Sequence, residues 1–105
     1  MVQALLLGKY HPHALKGLIA GSDRKAAVEA MMEAVGGKVN SIQFTRGAYD
    51  VVVEVSAPTH DALMGVSTAL KASGAFESAE YLEYVNIETI AEQAKKVGAA
   101  YKPAG

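Results

Sequence analysis

Arg46, Tyr49 and Asp50 fall within five consecutive positions of the stretch FTRGAYDVVVEVSAP, residues 44–58. A phenol and a carboxylate that close can share a proton, and a guanidinium beside them depresses the pKa of either. The same residue types also make turns. Aspartate accepts hydrogen bonds from nearby backbone amides, and Gly47-Ala48 reverses the chain between two hydrophobic runs. Turn formation is therefore the expected role. Should the turn also be reactive, the catalytic candidates are Tyr49, Asp50, Arg46 and the strand residue Glu54.

His11 and His13 flank Pro12. Two imidazoles so placed bind Zn, Cu or Ni if a third ligand arrives, and His60, Glu54 and Glu80 are the candidates. On an extended segment both rings would point the same way; a helix beginning at Pro12 would make them diverge. No third ligand stands at a diagnostic spacing, so no metal and no other cofactor is expected. Tyr10, His11, His13, Tyr81 and Tyr84 are candidates to line a pocket for a planar or aromatic ligand. The tyrosines could equally fill a subunit interface, where tyrosine is enriched. Glu54, Glu80 and Glu83 would be general bases if they faced a cavity and ordinary solvated carboxylates if they faced water. Lys16, Arg24 and Lys25 read as solvated charge, and Met31 and Met32 as core. No Gly-rich phosphate loop, nucleophile elbow or triad spacing is present.

The elements that must position these residues follow from periodicity. Residues 2–10 are apolar with few interruptions, as in a buried strand. Pro12 suits a helix N-terminus, and Leu15, Leu18 and Ile19 share one side of a short helix stopped at Gly21. Ser22 or Asp23 caps a second helical segment, in which Val28, Met31, Met32 and Val35 recur at helical spacing until Gly36-Gly37. Ile42 and Phe44 then alternate with Ser41, Gln43 and Thr45, and Val51, Val53 and Val55 with Asp50, Val52 and Glu54. These two strands form a hairpin. Pro58-Thr59 opens a helix carrying Leu63, Val66 and Leu70. A fourth strand, FESAEYLEYV, follows, and Asn86 caps a last helix with Ile87, Ile90, Ala91, Ala94 and Val97.

The predicted order is β-α-β-β-α-β plus a C-terminal helix: an α+β, ferredoxin-like domain with four antiparallel strands and helices on one face. The uncovered face would carry Ser41, Gln43, Thr45, Val52 and Glu54. Two such faces closing together would make a dimeric α/β barrel with a cavity between the sheets, and two-fold homo-oligomers are the commonest assemblies. The 105 residues form one domain, 1–105. With no cysteine there are no disulfides, and with net charge −1 and no basic block there is no nucleic-acid footprint. The opening MVQALLLGKY has neither the basic start nor the cleavage site of a signal peptide, and no run is long enough to span a membrane. A cytoplasmic protein is expected.

The segments KYHPHALKGL, VEAMMEAVGGKVNSIQFTRGAYDVVVEVSAP, ALKASGAF and YKPAG together resemble the GYD-domain family. Its eponymous hairpin residues correspond to Gly47, Tyr49 and Asp50. The resemblance implies a small bacterial protein with a ferredoxin-like fold and supplies almost no function. His11 and His13 depart from the family pattern, which has a threonine and an acidic residue around that proline. The Tyr- and Glu-rich fourth strand departs too, where relatives tend toward Val, Thr and basic residues. Three functions are consistent with this reading: a homo-oligomeric ligand-binding or assembly module, a cofactor-independent dimeric α/β-barrel enzyme (proton transfer, isomerase or monooxygenase-like) on a small apolar or aromatic substrate, and a metal-binding protein using the His11/His13 pair.

Overall fold

Four helix starts are written locally in the chain. Pro12 occupies the first turn of α1 (Pro12–Ile19), where its missing N–H costs nothing. Asp23 caps α2 (Arg24–Glu33) by accepting the Ala26 N–H at 3.0 Å. Thr59 caps α3 (His60–Ala72) through the Ala62 N–H at 3.1 Å, and Asn86 caps α4 (Ile87–Ala100) through the Glu88 N–H at 3.1 Å. Each such cap is worth about 1 kcal/mol. Beyond α2 the chain leaves the helix through Gly36 at φ +73°, a left-handed conformation that glycine adopts without a Cβ penalty.

The computed structural model describes residues 1–104. The strands are β1 (Val2–Tyr10), β2 (Lys38–Phe44), β3 (Val51–Ala57) and β4 (Phe76–Glu83), in the spatial order β2-β3-β1-β4 with every pair antiparallel. This is the α+β, ferredoxin-like arrangement expected from the pattern. Alternation assigns the two faces. Ala4, Leu6, Val51, Val53 and Val55 turn toward the helices and bury with Met32 of α2 and Leu63 and Val66 of α3. Burying each larger side chain contributes roughly 1.5–3 kcal/mol. Leu15 of α1 and Val28, Met31 and Val35 in and after α2 pack at the margin of that core.

Two irregularities adjust the register. The pairing Val39↔Val55 is followed by Ser41↔Glu54, so Asn40 is an extra residue on β2. Its amide donates to the Ser56 hydroxyl at 2.7 Å. On β4, Lys9↔Ser78 is followed by Tyr10↔Phe76, leaving Glu77 as the extra residue. Bulges of this kind let residues on both sides keep their faces while the strand twists.

α4 is different. Every described residue from Tyr84 onward is exposed, including Ile87, Ile90 and Val97 on its apolar stripe. The molecule measures 57 × 33 × 22 Å with a radius of gyration of 17.3 Å. A compact chain of this length would have a radius of about 13 Å. The excess is α4 standing away from the body.

Candidate functional site

The sheet face opposite the helices is uncovered. Across it run two rows set by the register: Gln43, Val52, Leu7 and Glu80, then Ser41, Glu54, Leu5 and Leu82. Leu5, Leu7, Val52 and Leu82 thus form an apolar centre, with a carboxylate in each row. Both carboxylates are engaged by tyrosines. The Tyr49 hydroxyl donates to Glu80 Oε2 at 2.5 Å, and the Tyr84 hydroxyl donates to Glu54 Oε2 at 2.7 Å.

Each hydrogen bond needs a local device. Tyr49 sits in the β2–β3 connection, which is held by Thr45: its N–H donates to the Asp50 carbonyl at 2.8 Å, and its hydroxyl donates to the Tyr49 carbonyl at 2.6 Å. Tyr84 lies just past β4 but keeps the pairing, its N–H donating to the Gln3 carbonyl at 2.9 Å. The bond to Glu80 raises the Tyr49 phenol above its ordinary pKa, with smaller contributions from burial and from the carboxylate charge. Tyr84 is raised in the same way by Glu54. A phenol held protonated beside a carboxylate can donate to a ligand oxygen or pass a proton through the pair.

Tyr49 and Asp50, neighbours in sequence, do not partner each other. The Asp50 carboxylate accepts the Tyr10 N–H at 2.9 Å, so its amide partner lies on β1 and not within its own turn. Arg46 forms no ion pair among the described residues. The five candidate ligand-lining residues are not gathered on one surface. Tyr84 is on the open face. Tyr10 and Tyr81 are on the helix side, Tyr10 buried and stacked on Phe76 with centroids 4.8 Å apart. Tyr81 lies edge-on to His60 at 6.2 Å, and His60 Nδ1 is 3.0 Å from Glu83 Oε2. Burial and then the Glu83 charge push the Tyr81 phenol up.

The histidine pair corrects one expectation. α1 does begin at Pro12, yet the His11 and His13 rings do not diverge; they stack at 5.8 Å and 16°. His11 is the extended residue before the helix, at φ −67° and ψ 155°, which swings its ring back over the first turn. No group of three or more His, Cys, Asp or Glu residues able to hold a metal ion occurs among the described residues. No described helix is long and apolar enough to cross a membrane.

Glu80 and Glu54 were visible in the sequence as strand carboxylates, but their tyrosine partners were not. Those partners lie 31 and 30 residues away. The sole available signal was parity: Glu54, Glu80 and Tyr84 occupy outward positions once the register is known.

The fold is similar to those of solved proteins. FFRP-DM1 shares 17% identity over 81% of this chain and 100% of its own, with a TM-score of 0.55. The hypothetical protein PHS023 of Pyrococcus horikoshii shares 17% identity over 82% of this chain and 92% of its own, with a TM-score of 0.54. TTHA0845 of Thermus thermophilus shares 18% identity over 82% of this chain and 95% of its own, with a TM-score of 0.57. At such identities the likeness concerns the fold alone. No curated protein matches the sequence. The GYD-domain profile matches residues 5–94, most of the molecule and all of the hairpin that carries Gly47, Tyr49 and Asp50, so the chain belongs to the GYD-domain family.

Proposed function

We propose that the protein is a homodimeric ligand-binding module in which two open sheet faces close on each other and hold a small apolar or aromatic molecule between them. The observation that carries this reading is the uncovered apolar centre of Leu5, Leu7, Val52 and Leu82, flanked by the Tyr49–Glu80 and Tyr84–Glu54 hydrogen bonds. An apolar patch rimmed by polar groups is the composition of a partner or ligand surface.

Size supports a second copy as the cover. Four strands at about 4.8 Å spacing and about 3.3 Å per residue make a face near 19 by 25 Å. Two such faces bury on the order of 1,000 Å², just short of the roughly 1,200 Å² of a specific interface. α4 supplies the remainder. It is about 21 Å long and 10 Å wide. It continues from Tyr84 at the margin of this same face and presents Ile87, Ile90 and Val97 to solvent. Laid on the opposite copy, the two helices and the surface they cover add about 800 Å² and bring the total to about 1,800 Å², within the usual range for a stable pair.

Native mass spectrometry of the protein as purified from cells tests the proposal. A dimer carrying a discrete organic mass is expected, and a monomer with nothing bound overturns it. The two hydroxyl–carboxylate pairs favour a second reading, acid–base chemistry on the bound molecule. If that molecule exchanges a carbon-bound proton for deuterium in D2O only when protein is present, the pairs are catalytic. Unchanged mass leaves binding alone.

A further inference from the structure

We propose a second ligand site on the other side of the sheet, independent of the dimer: a groove between α2 and α3 that takes a small amphipathic carboxylate, anchored by Arg24. The groove, of ≈ 180 Å³, is lined by Tyr10, Arg24, Val28, Met31, Leu70 and Phe76 with smaller neighbours. It continues inward into a core cavity of ≈ 30 Å³ that shares Tyr10, Val28, Met31, Leu70 and Phe76. These walls are mainly aliphatic and aromatic, suited to a short chain or single ring, with Ser73 in the groove and Ser67 and Glu80 at the inner cavity as polar members.

Arg24 supplies the positive charge in that lining. Its Nε is buried and has no hydrogen-bond partner, and among the described residues no carboxylate lies within ion-pair distance of it. Asp23, adjacent in sequence, and Asp50, whose charge like that of Arg24 acts on the Tyr10 phenol, are already committed. Asp23 accepts the Ala26 N–H, and Asp50 accepts the Tyr10 N–H. A buried N–H without an acceptor is costly in a folded protein and calls for an occupant. The guanidinium fork matches a carboxylate, which can take Nε–H and a terminal N–H together. The Tyr10 phenol stands at the same place: burial raises its pKa, and the Arg24 charge acts against that rise. It offers a second donor beside the fork. A single positive charge in an apolar groove selects a monoanion with an apolar body over a phosphate, whose second charge would have no counterpart.

Octanoate and octanol serve as probes, because they share a tail and differ in the head group. The readout is the methyl NMR shifts of Val28, Met31 and Leu70 in the full chain. Octanoate should bind saturably and at least tenfold tighter than octanol. In Arg24→Met, a substitution of similar length that keeps the apolar stem, the two probes should bind equally. Val52→Lys, on the opposite sheet face, should leave octanoate binding intact even where it splits the dimer, which separates this site from the one between the sheets. The assignment is overturned if octanoate shifts none of the three methyl groups, if octanol competes equally in the unmodified protein, or if Arg24→Met retains the preference.

Discussion

The Asp50 carboxylate accepts the backbone N–H of Tyr10 at 2.9 Å, across 40 residues of sequence, while the Asp50 N–H donates to the Gly8 carbonyl at 2.8 Å. One residue therefore closes the hairpin loop onto the end of β1. It does so where the bulge at Glu77 interrupts the β1–β4 ladder. The aspartate named in the family motif is in this chain a brace between the second hairpin strand and the first strand.

Asp50→Ala leaves the partly buried Tyr10 N–H without an acceptor and should cost about 1–3 kcal/mol. A domain of this size loses about 4–8 °C of Tm per kcal/mol. Asp50→Asn keeps an acceptor oxygen and should lose less. Thermal melts that show no change in Asp50→Ala would remove the brace from the account.

Gly8 is a position where a side chain has no room: a Cβ there would lie 2.5 Å from the Phe76 ring. Gly8→Ala should push Phe76 off its stack with Tyr10 and cost about 1–3 kcal/mol as overpacking. Urea unfolding measures the loss, and the near-ultraviolet circular dichroism of the displaced aromatics should weaken with it. An alanine accepted without either change would mean that the stack is loose.

Alkaline pH should weaken the protein in a defined window. The phenols of Tyr10, Tyr49, Tyr81 and Tyr84 are all held above their ordinary value of 10.0. Each folded phenol keeps its proton after the unfolded chain has lost it. The resulting stabilisation is full below about pH 10 and disappears as pH rises through the folded values. Absorbance at 295 nm should show late tyrosinate formation. Glu80→Ala, which removes the chief cause of the Tyr49 shift, should bring one phenol back toward pH 10. A titration curve unaltered by Glu80→Ala would contradict the Tyr49–Glu80 hydrogen bond.

Val52 lies at the centre of the open sheet face, paired with Gln43 on one side and Leu7 on the other. Val52→Lys would place an unpaired ammonium in the proposed dimer interface. Dissociation should become at least about a hundredfold easier, near 3 kcal/mol. Sedimentation equilibrium reads this directly. A dimer of unchanged affinity would mean that the copies meet elsewhere.

The sheet and helices were largely legible in the residues. The Val28, Met31, Met32, Val35 spacing and the Val51, Val53, Val55 alternation each reflect one element burying one face, a property written over a few positions. The Asn40 bulge was not legible, because an asparagine between valine and serine satisfies either register equally well. The tyrosine–glutamate bonds were hidden for a different reason: they join positions whose proximity exists only after β1 has paired on both sides. Arg24 looked like one of several solvated cations. Its meaning comes from the absence of a partner in a place the linear chain does not define.

The position of β1 inside the sheet also bears on how the chain reaches its structure. β1 must wait for both of its neighbours, which follow it in the chain: Val2 pairs with Ala57, and Ala4 with Glu83. Only β2 and β3 can meet early, through their short connection. Long loops must therefore close before most strand contacts form, which slows folding. During synthesis, the apolar run Ala4–Leu7 stays unpaired until β3 has left the ribosome. A nascent chain arrested before β4 has emerged would hold that strand with one edge bare, and this is the point at which a chaperone has most to protect.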